Sequence, residues 1–152
     1  MGWLELKIPP PLLLLILVLT MSATQSHFAG GLTSGAHIYA GLATMFAGFV
    51  IDFVALRSLI GNRTTPSPIN IDRAKKLVAT GLFSFTRNPM YLGMVLLLLG
   101  LVMLSLNLWQ LIGPLVFVLY ITRFQILPEE RVMASKFGAD YAAYRTRVRR
   151  WI

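Results

Sequence analysis

The sequence predicts an all-α membrane protein of about four transmembrane helices, the third and fourth forming a helical hairpin, followed by a C-terminal amphipathic helix. Three observations carry that expectation. Mean hydropathy is +0.68 and only 13% of the 152 residues are charged, a balance too apolar for a soluble domain of this length. The apolar residues gather into four runs near the length of a bilayer crossing. Of the 20 charged residues, 15 lie between those runs or after the last.

The first run, Ile8 to Thr24, opens on Pro9, Pro10 and Pro11. Prolines suit a first helical turn, where their missing N–H groups would be unpaired anyway. The run is barely long enough to cross a hydrocarbon core, and Ser22-Ala23-Thr24 makes a poor cleavage site, so a helix is expected rather than a removed leader. The second run, Gly35 to Ile60, can cross with tilt; Gly41, Ala43, Ala47 and Gly48 allow a close neighbour, and Asp52 is its single acid. Asp52 is read as structural and facing the membrane interface.

Met90 to Leu106 and Leu108 to Leu127 are separated only by Asn107, which predicts a tight antiparallel hairpin. Gly93 and Gly100 share one face of the third helix, and Gly113-Pro114 is expected to kink the fourth by crowding the carbonyl of Gln110. A polar segment, 61–89, carries Arg63, Arg73, Lys75, Lys76 and Arg87, and a basic tail occupies 129–152. The connections at 25–34 and Asn107 contain no Lys or Arg. The positive-inside rule therefore puts both termini and the middle segment in the cytoplasm, in one domain over 1–152.

Composition also excludes. With no Cys there is no thiolate ligand or cysteine nucleophile, and the two histidines, His27 and His37, fall near the outer connection. No metal site is expected. The net charge of +8 flanks hydrophobic runs and does not interleave with aromatics on a soluble face, so it reads as topology signal and attraction to anionic headgroups, not nucleic-acid binding.

Two constellations can carry chemistry. In Arg87-Asn88-Pro89-Met90-Tyr91-Leu92-Gly93 a proline opens a membrane helix, and such a start offers backbone N–H groups to a carboxylate or other polar ligand. Pro128-Glu129-Glu130 follows the fourth run, at what reads as a fresh helix N-terminus. One of its carboxylates can accept hydrogen bonds from a ligand diol such as a ribose while its neighbour pairs with an Arg. Beyond it Met133, Phe137, Tyr141, Tyr144, Val148 and Trp151 recur every three or four residues among basic ones, the pattern of an amphipathic helix on a membrane surface, with a break possible at Gly138.

Leu77-Val78-Ala79-Thr80-Gly81-Leu82-Phe83, Arg87 to Gly93, Glu129-Glu130, Phe137-Gly138, Tyr141, Tyr144 and Val148 together resemble the isoprenylcysteine carboxyl methyltransferase and phospholipid methyltransferase superfamily of integral membrane enzymes. The resemblance covers roughly 75–152. It implies S-adenosylmethionine as cofactor and a lipophilic acceptor, a prenylcysteine-like carboxylate, lipid headgroup or isoprenoid or phenolic lipid, arriving from the bilayer. It further implies a multi-pass protein of a bacterial cytoplasmic membrane with no obligate protein partner. By the same resemblance Lys75, Lys76, Leu77, Val78 and Phe83 would line the cofactor pocket. Asn88, Pro89, Met90 and Tyr91 would hold the amino-acid and adenosine parts, and Glu129 the ribose; Arg87, Asn88 and Tyr91 would stand at the chemistry.

Asn88 replaces the family's usual histidine, so no imidazole is offered as a base there. Gln125 occupies the place of an Arg one turn before the acids, with Arg123 two residues earlier; Arg123, Gln125 and Glu130 are the candidate acceptor contacts. Two alternatives remain at this level. One is an NADPH-dependent membrane reductase of related fold, the other a small four-helix transporter or assembly partner.

Overall fold

The computed structural model describes residues 5–25, 35–62 and 77–152, so Lys75, Lys76, His27 and the Thr64 to Pro68 stretch lie outside the described residues. Among the described residues the chain is helical, with one isolated bridge between Thr86 and Arg149. The principal helices are α1 (Pro10–Gln25), α2 (Gly35–Gly61), α3 (Pro89–Ser105), α4 (Ile112–Ile121) and α5 (Leu127–Arg147).

The α2 and α3 helices form the tightest pair, and the glycines explain why. The buried residues of α2 are Gly41, Gly48 and Ala55, seven apart on one face. A Cβ added to Gly41 would come within 2.9 Å of the Gly100 carbonyl oxygen, and one on Gly48 within 2.7 Å of the Gly93 carbonyl oxygen. Backbones therefore touch where the glycines pair, Gly41 with Gly100 and Gly48 with Gly93, which also makes the helices antiparallel. On the far side of α2, Tyr39, Phe46, Phe49 and Phe53 are exposed, as expected where the surrounding solvent is hydrocarbon.

The α1 helix starts as its prolines predict, with the Leu12 and Leu13 N–H groups donating to the Pro9 carbonyl. Leu13 and Met21 join Tyr91, Met94, Leu98, Phe117 and Ile121 in the main core. At the end remote from Asn88, Leu106 adopts a left-handed conformation (φ 49°) and the Asn107 side chain accepts the Trp109 N–H, so the expected hairpin turn is present. Gln110 there donates to the Met21 carbonyl and accepts from Ser105, tying α1 to the turn.

Three local expectations are corrected. Pro114 does not kink a long helix, because Leu108–Leu111 is a 3₁₀ turn and α4 begins only at Ile112. Proline is thus in a first turn, where its missing N–H costs little. Nor do Glu129 and Glu130 open a fresh helix: a π-helical turn, Thr122–Ile126, carries α4 directly into α5. The amphipathic stripe, finally, is covered by the chain itself. Tyr141, Tyr144 and Val148 are buried, packed with Met133 and Phe137 against Leu77 and Ala79, while Trp151 packs on the main core. The break at Gly138 is real (φ 49°, ψ −120°), a conformation that glycine reaches without Cβ strain.

By length and composition two stretches are apolar enough to cross a membrane, Gly35–Gly61 and the run Leu108–Arg147, which carries Arg123 as its one charge before Leu127. The α1 and α3 helices, 16 and 17 residues long, are shorter. At a rise of ~1.5 Å per residue they fall somewhat below a hydrocarbon thickness of ~30 Å.

Candidate functional site

The site is assembled at the α3 start, where three separated pieces of chain meet. Pro89 occupies the first helical position and is fully buried, and the Leu92 N–H donates to the Asn88 carbonyl to close the first turn. The C-terminal residues return to this point. The Arg87 N–H donates to the Arg149 carbonyl (3.0 Å), and the Thr86 hydroxyl (3.2 Å) and Asn88 Nδ2 (2.9 Å) both donate to the Arg150 carbonyl. Thr86 Oγ1 also accepts the Asn88 N–H, so the polar residues before the helix act as a clasp for the tail.

The adjacent acids divide. Glu129 accepts a hydrogen bond of 2.6 Å from the Tyr91 hydroxyl. Glu130 turns the other way: Arg150 donates to both its oxygens, Nε to Oε1 at 2.9 Å and Nη2 to Oε2 at 2.8 Å, and Arg87 Nη2 lies 3.1 Å from Oε1. This is the bidentate fork that suits guanidinium and carboxylate. The bonds to Glu130 hold the Arg150 guanidinium above its ordinary value, so it stays charged. Two guanidiniums on one carboxylate leave the triad with an excess positive charge. Arg87 is about nine-tenths buried, and its Nε and Nη1 have no hydrogen-bond partner among the described residues. Buried donors of this kind are costly unless something accepts from them.

Beside the acids, Tyr144 donates from its hydroxyl to the Phe83 carbonyl at 2.6 Å, anchoring the 3₁₀ turn Gly81–Ser84 to α5. A cavity of about 470 Å³ opens along α5, lined by Leu77, Ala79, Phe137, Asp140, Ala143, Tyr144 and Arg147. It shares Leu77 and the Tyr144 side chain with this end of the molecule but not the Tyr91 and Glu129 pair, so cavity and acid site are neighbours, not one space.

Of the residues singled out in the sequence, Arg87, Asn88, Pro89, Met90, Tyr91, Glu129 and Glu130 are brought together, with Leu77, buried Val78 and Phe83 alongside. Arg123 and Gln125 are not part of this group. Arg123 pairs with Glu5, which also meets Arg131, and Gln125 Nε2 donates to the Ile8 carbonyl at 2.6 Å. Both therefore fasten the N-terminal segment to the π turn, and the Leu6 N–H bond to the Phe124 carbonyl completes that attachment. Arg150 and Thr86 were missed because their roles depend on the tail folding back. The signal available was polar clustering at the very end of the chain, Arg149-Arg150-Trp151.

A protein of Haemophilus influenzae (strain ATCC 51907 / DSM 11121 / KW20 / Rd), itself described only as uncharacterized, is 41% identical over 63 residues, which is all of that protein and 41% of this chain. No solved structure matches the chain. The profile of the phospholipid methyltransferase family matches residues 36–140, a stretch that begins at α2 and includes the α3 start and both acids. The chain with this clasped, doubly acidic site thus belongs to the phospholipid methyltransferase family.

Proposed function

We propose that the protein transfers a methyl group from S-adenosylmethionine to a lipophilic acceptor at the cytoplasmic face of a bacterial membrane, as a single domain with four crossings and both termini in the cytoplasm. The observation that carries the reading is the division of Glu129 and Glu130 between Tyr91 and the Arg87–Arg150 pair at the α3 start. Family membership supports the methyltransferase activity. The donor set suits the cofactor. Glu129 has carboxylate acceptors for a ribose diol, and the two buried, unpartnered nitrogens of Arg87 suit the carboxylate of an amino-acid moiety. When bound, S-adenosylmethionine supplies a methyl group on a cationic sulfur.

The chain's own contribution is positioning and exclusion of water. Displacement at a methyl carbon needs alignment more than acid–base assistance, and a bound near-attack geometry can account for several kcal/mol of its barrier. Asn88 holds the tail that carries Arg150, Arg150 holds Glu130, and Glu130 fixes Arg87, so four residues act as one support. Tyr91 orients Glu129. The acceptor reaches the site laterally through hydrocarbon.

Calorimetry of purified protein in a neutral detergent tests the reading with S-adenosylmethionine and its demethylated product. Binding is expected, and Glu129→Ala and Tyr91→Ala are expected to weaken it tenfold or more. Folded protein that binds neither compound overturns it.

A further inference from the structure

The contacts that fasten the N-terminal segment to the π turn carry more positive charge than fastening needs. Glu5 Oε1 accepts from Arg123 Nη1 at 3.1 Å, and Glu5 Oε2 accepts from Arg131 Nη2. The Glu5 side chain is only 4% exposed, whereas those of Arg123 and Arg131 are 56% and 53% exposed. One of the two guanidinium charges is therefore left over within this group, on side chains that face outward. Each guanidinium has five N–H donors, of which Glu5 takes one.

The π turn makes the grouping possible. Eight residues of regular α-helix would set Arg131 about 80° around the axis from Arg123. The residue that a π turn inserts brings that step close to two full turns, so both guanidiniums reach one carboxylate. Arg123 also lies over the Phe124 ring, with Cζ 5.4 Å from the ring centroid, which holds the guanidinium in place. Leu119, Val116 and Ile112 precede Arg123 by four, seven and eleven residues, so they share its face, and all three are exposed. An apolar stripe along α4 thus ends on a pair of guanidiniums, at the end of that helix where the polar part of the chain begins.

We propose that Arg123 and Arg131 bind the phosphate of an anionic phospholipid whose acyl chain lies along Ile112, Val116 and Leu119. Guanidinium and phosphate match in charge and in fork geometry, and basic residues at headgroup level attract anionic lipid. The charge arrangement selects the headgroup. A net-anionic lipid neutralises the excess charge, whereas the ammonium of a zwitterionic lipid meets two exposed guanidiniums while Glu5 is buried. Bound lipid also relieves the repulsion between the two arginines, so it tightens the attachment of the N-terminal segment. The site shares no side chain with the Tyr91–Glu129 pair, and it stands whether or not the protein transfers methyl groups.

Native mass spectrometry of the protein in neutral detergent tests the site, with equal amounts of phosphatidylglycerol and phosphatidylcholine carrying matched dioleoyl chains. The wild type is expected to retain phosphatidylglycerol at least fivefold over phosphatidylcholine, and the double variant Arg123→Gln, Arg131→Gln less than twofold. Arg145→Gln with Arg149→Gln removes the same charge from exposed positions outside the group and is expected to keep the wild-type preference. A wild type without preference overturns the proposal, and this outcome needs no variant to fold. So does a preference kept by folded Arg123→Gln, Arg131→Gln protein. Equal loss in both double variants also overturns it, because the preference then follows total charge. Millimolar inorganic phosphate is expected to leave phosphatidylglycerol bound; displacement would mark a free-phosphate site and overturn the lipid assignment.

Discussion

Glu130 shows how much one side chain can organise when it is shared. It is buried and accepts from Arg150 through both oxygens while meeting Arg87 through one, so its removal leaves two guanidiniums facing each other. Breaking a buried pair on one side typically costs about 3–5 kcal/mol, and the partial exposure of Arg150 moves the expectation toward the lower figure. Glu130→Ala is therefore expected to lower the thermal midpoint of the purified protein by several degrees, whereas Arg123→Ala, at an exposed guanidinium, should move it far less. Scanning fluorimetry in detergent makes the comparison. At this scale the sequence was informative about which residues are polar and where they cluster. It was silent on partners: Gln125, a candidate acceptor contact in the sequence, is committed by the fold to the Ile8 carbonyl.

At the scale of elements, close approach of α2 and α3 depends on residues with no side chain. Gly48 meets the Gly93 carbonyl oxygen and the Leu96 Cβ, the latter at 3.0 Å, so any added volume must separate the two backbones. Gly48→Leu is expected to destabilise by about 1–3 kcal/mol or more through overpacking. Gly61→Leu, with nothing within 4 Å of the added Cβ, should be neutral or mildly stabilising because it removes a helical glycine. Comparable losses at both positions would show that the seam does not hold the helices together. The seven-residue spacing of Gly93 and Gly100 was legible in the sequence as a face for a neighbour, and Gly41 and Gly48 as candidates on α2. The pairing of these glycines was not. The π turn Thr122–Ile126 had no sequence signal at all: such a turn arises where packing inserts one residue into a helix, and here Gln125 and the Phe124 carbonyl are turned toward the N-terminal segment.

For the whole molecule the open quantity is orientation. The chain contains no cysteine, so single cysteines report cleanly. Leu108→Cys and Ala142→Cys, both at exposed positions, are expected to react with a membrane-impermeant maleimide from opposite sides, position 142 only in inverted vesicles and position 108 only in right-side-out cells. Reaction of both from one side would overturn the proposed topology.

Hydropathy and charge placement by themselves determined the helical class of the molecule, its helices to within a few residues and the hairpin at Asn107. These are local or compositional properties: an apolar run must bury its backbone polar groups in a helix wherever it lies in hydrocarbon, and a proline at a helix start behaves alike in any fold. Only the tertiary structure decided how the polar residues are divided. Which of two adjacent carboxylates meets Tyr91 and which meets Arg87, why Arg150 belongs to the site and Arg123 does not, and why the half-buried Asp52 rests its carboxylate against Gly93 all depend on segments far apart in the chain. Side-chain hydrogen bonds and ion pairs act over about 3 Å, and no pattern along the chain specifies which distant groups will come within that reach.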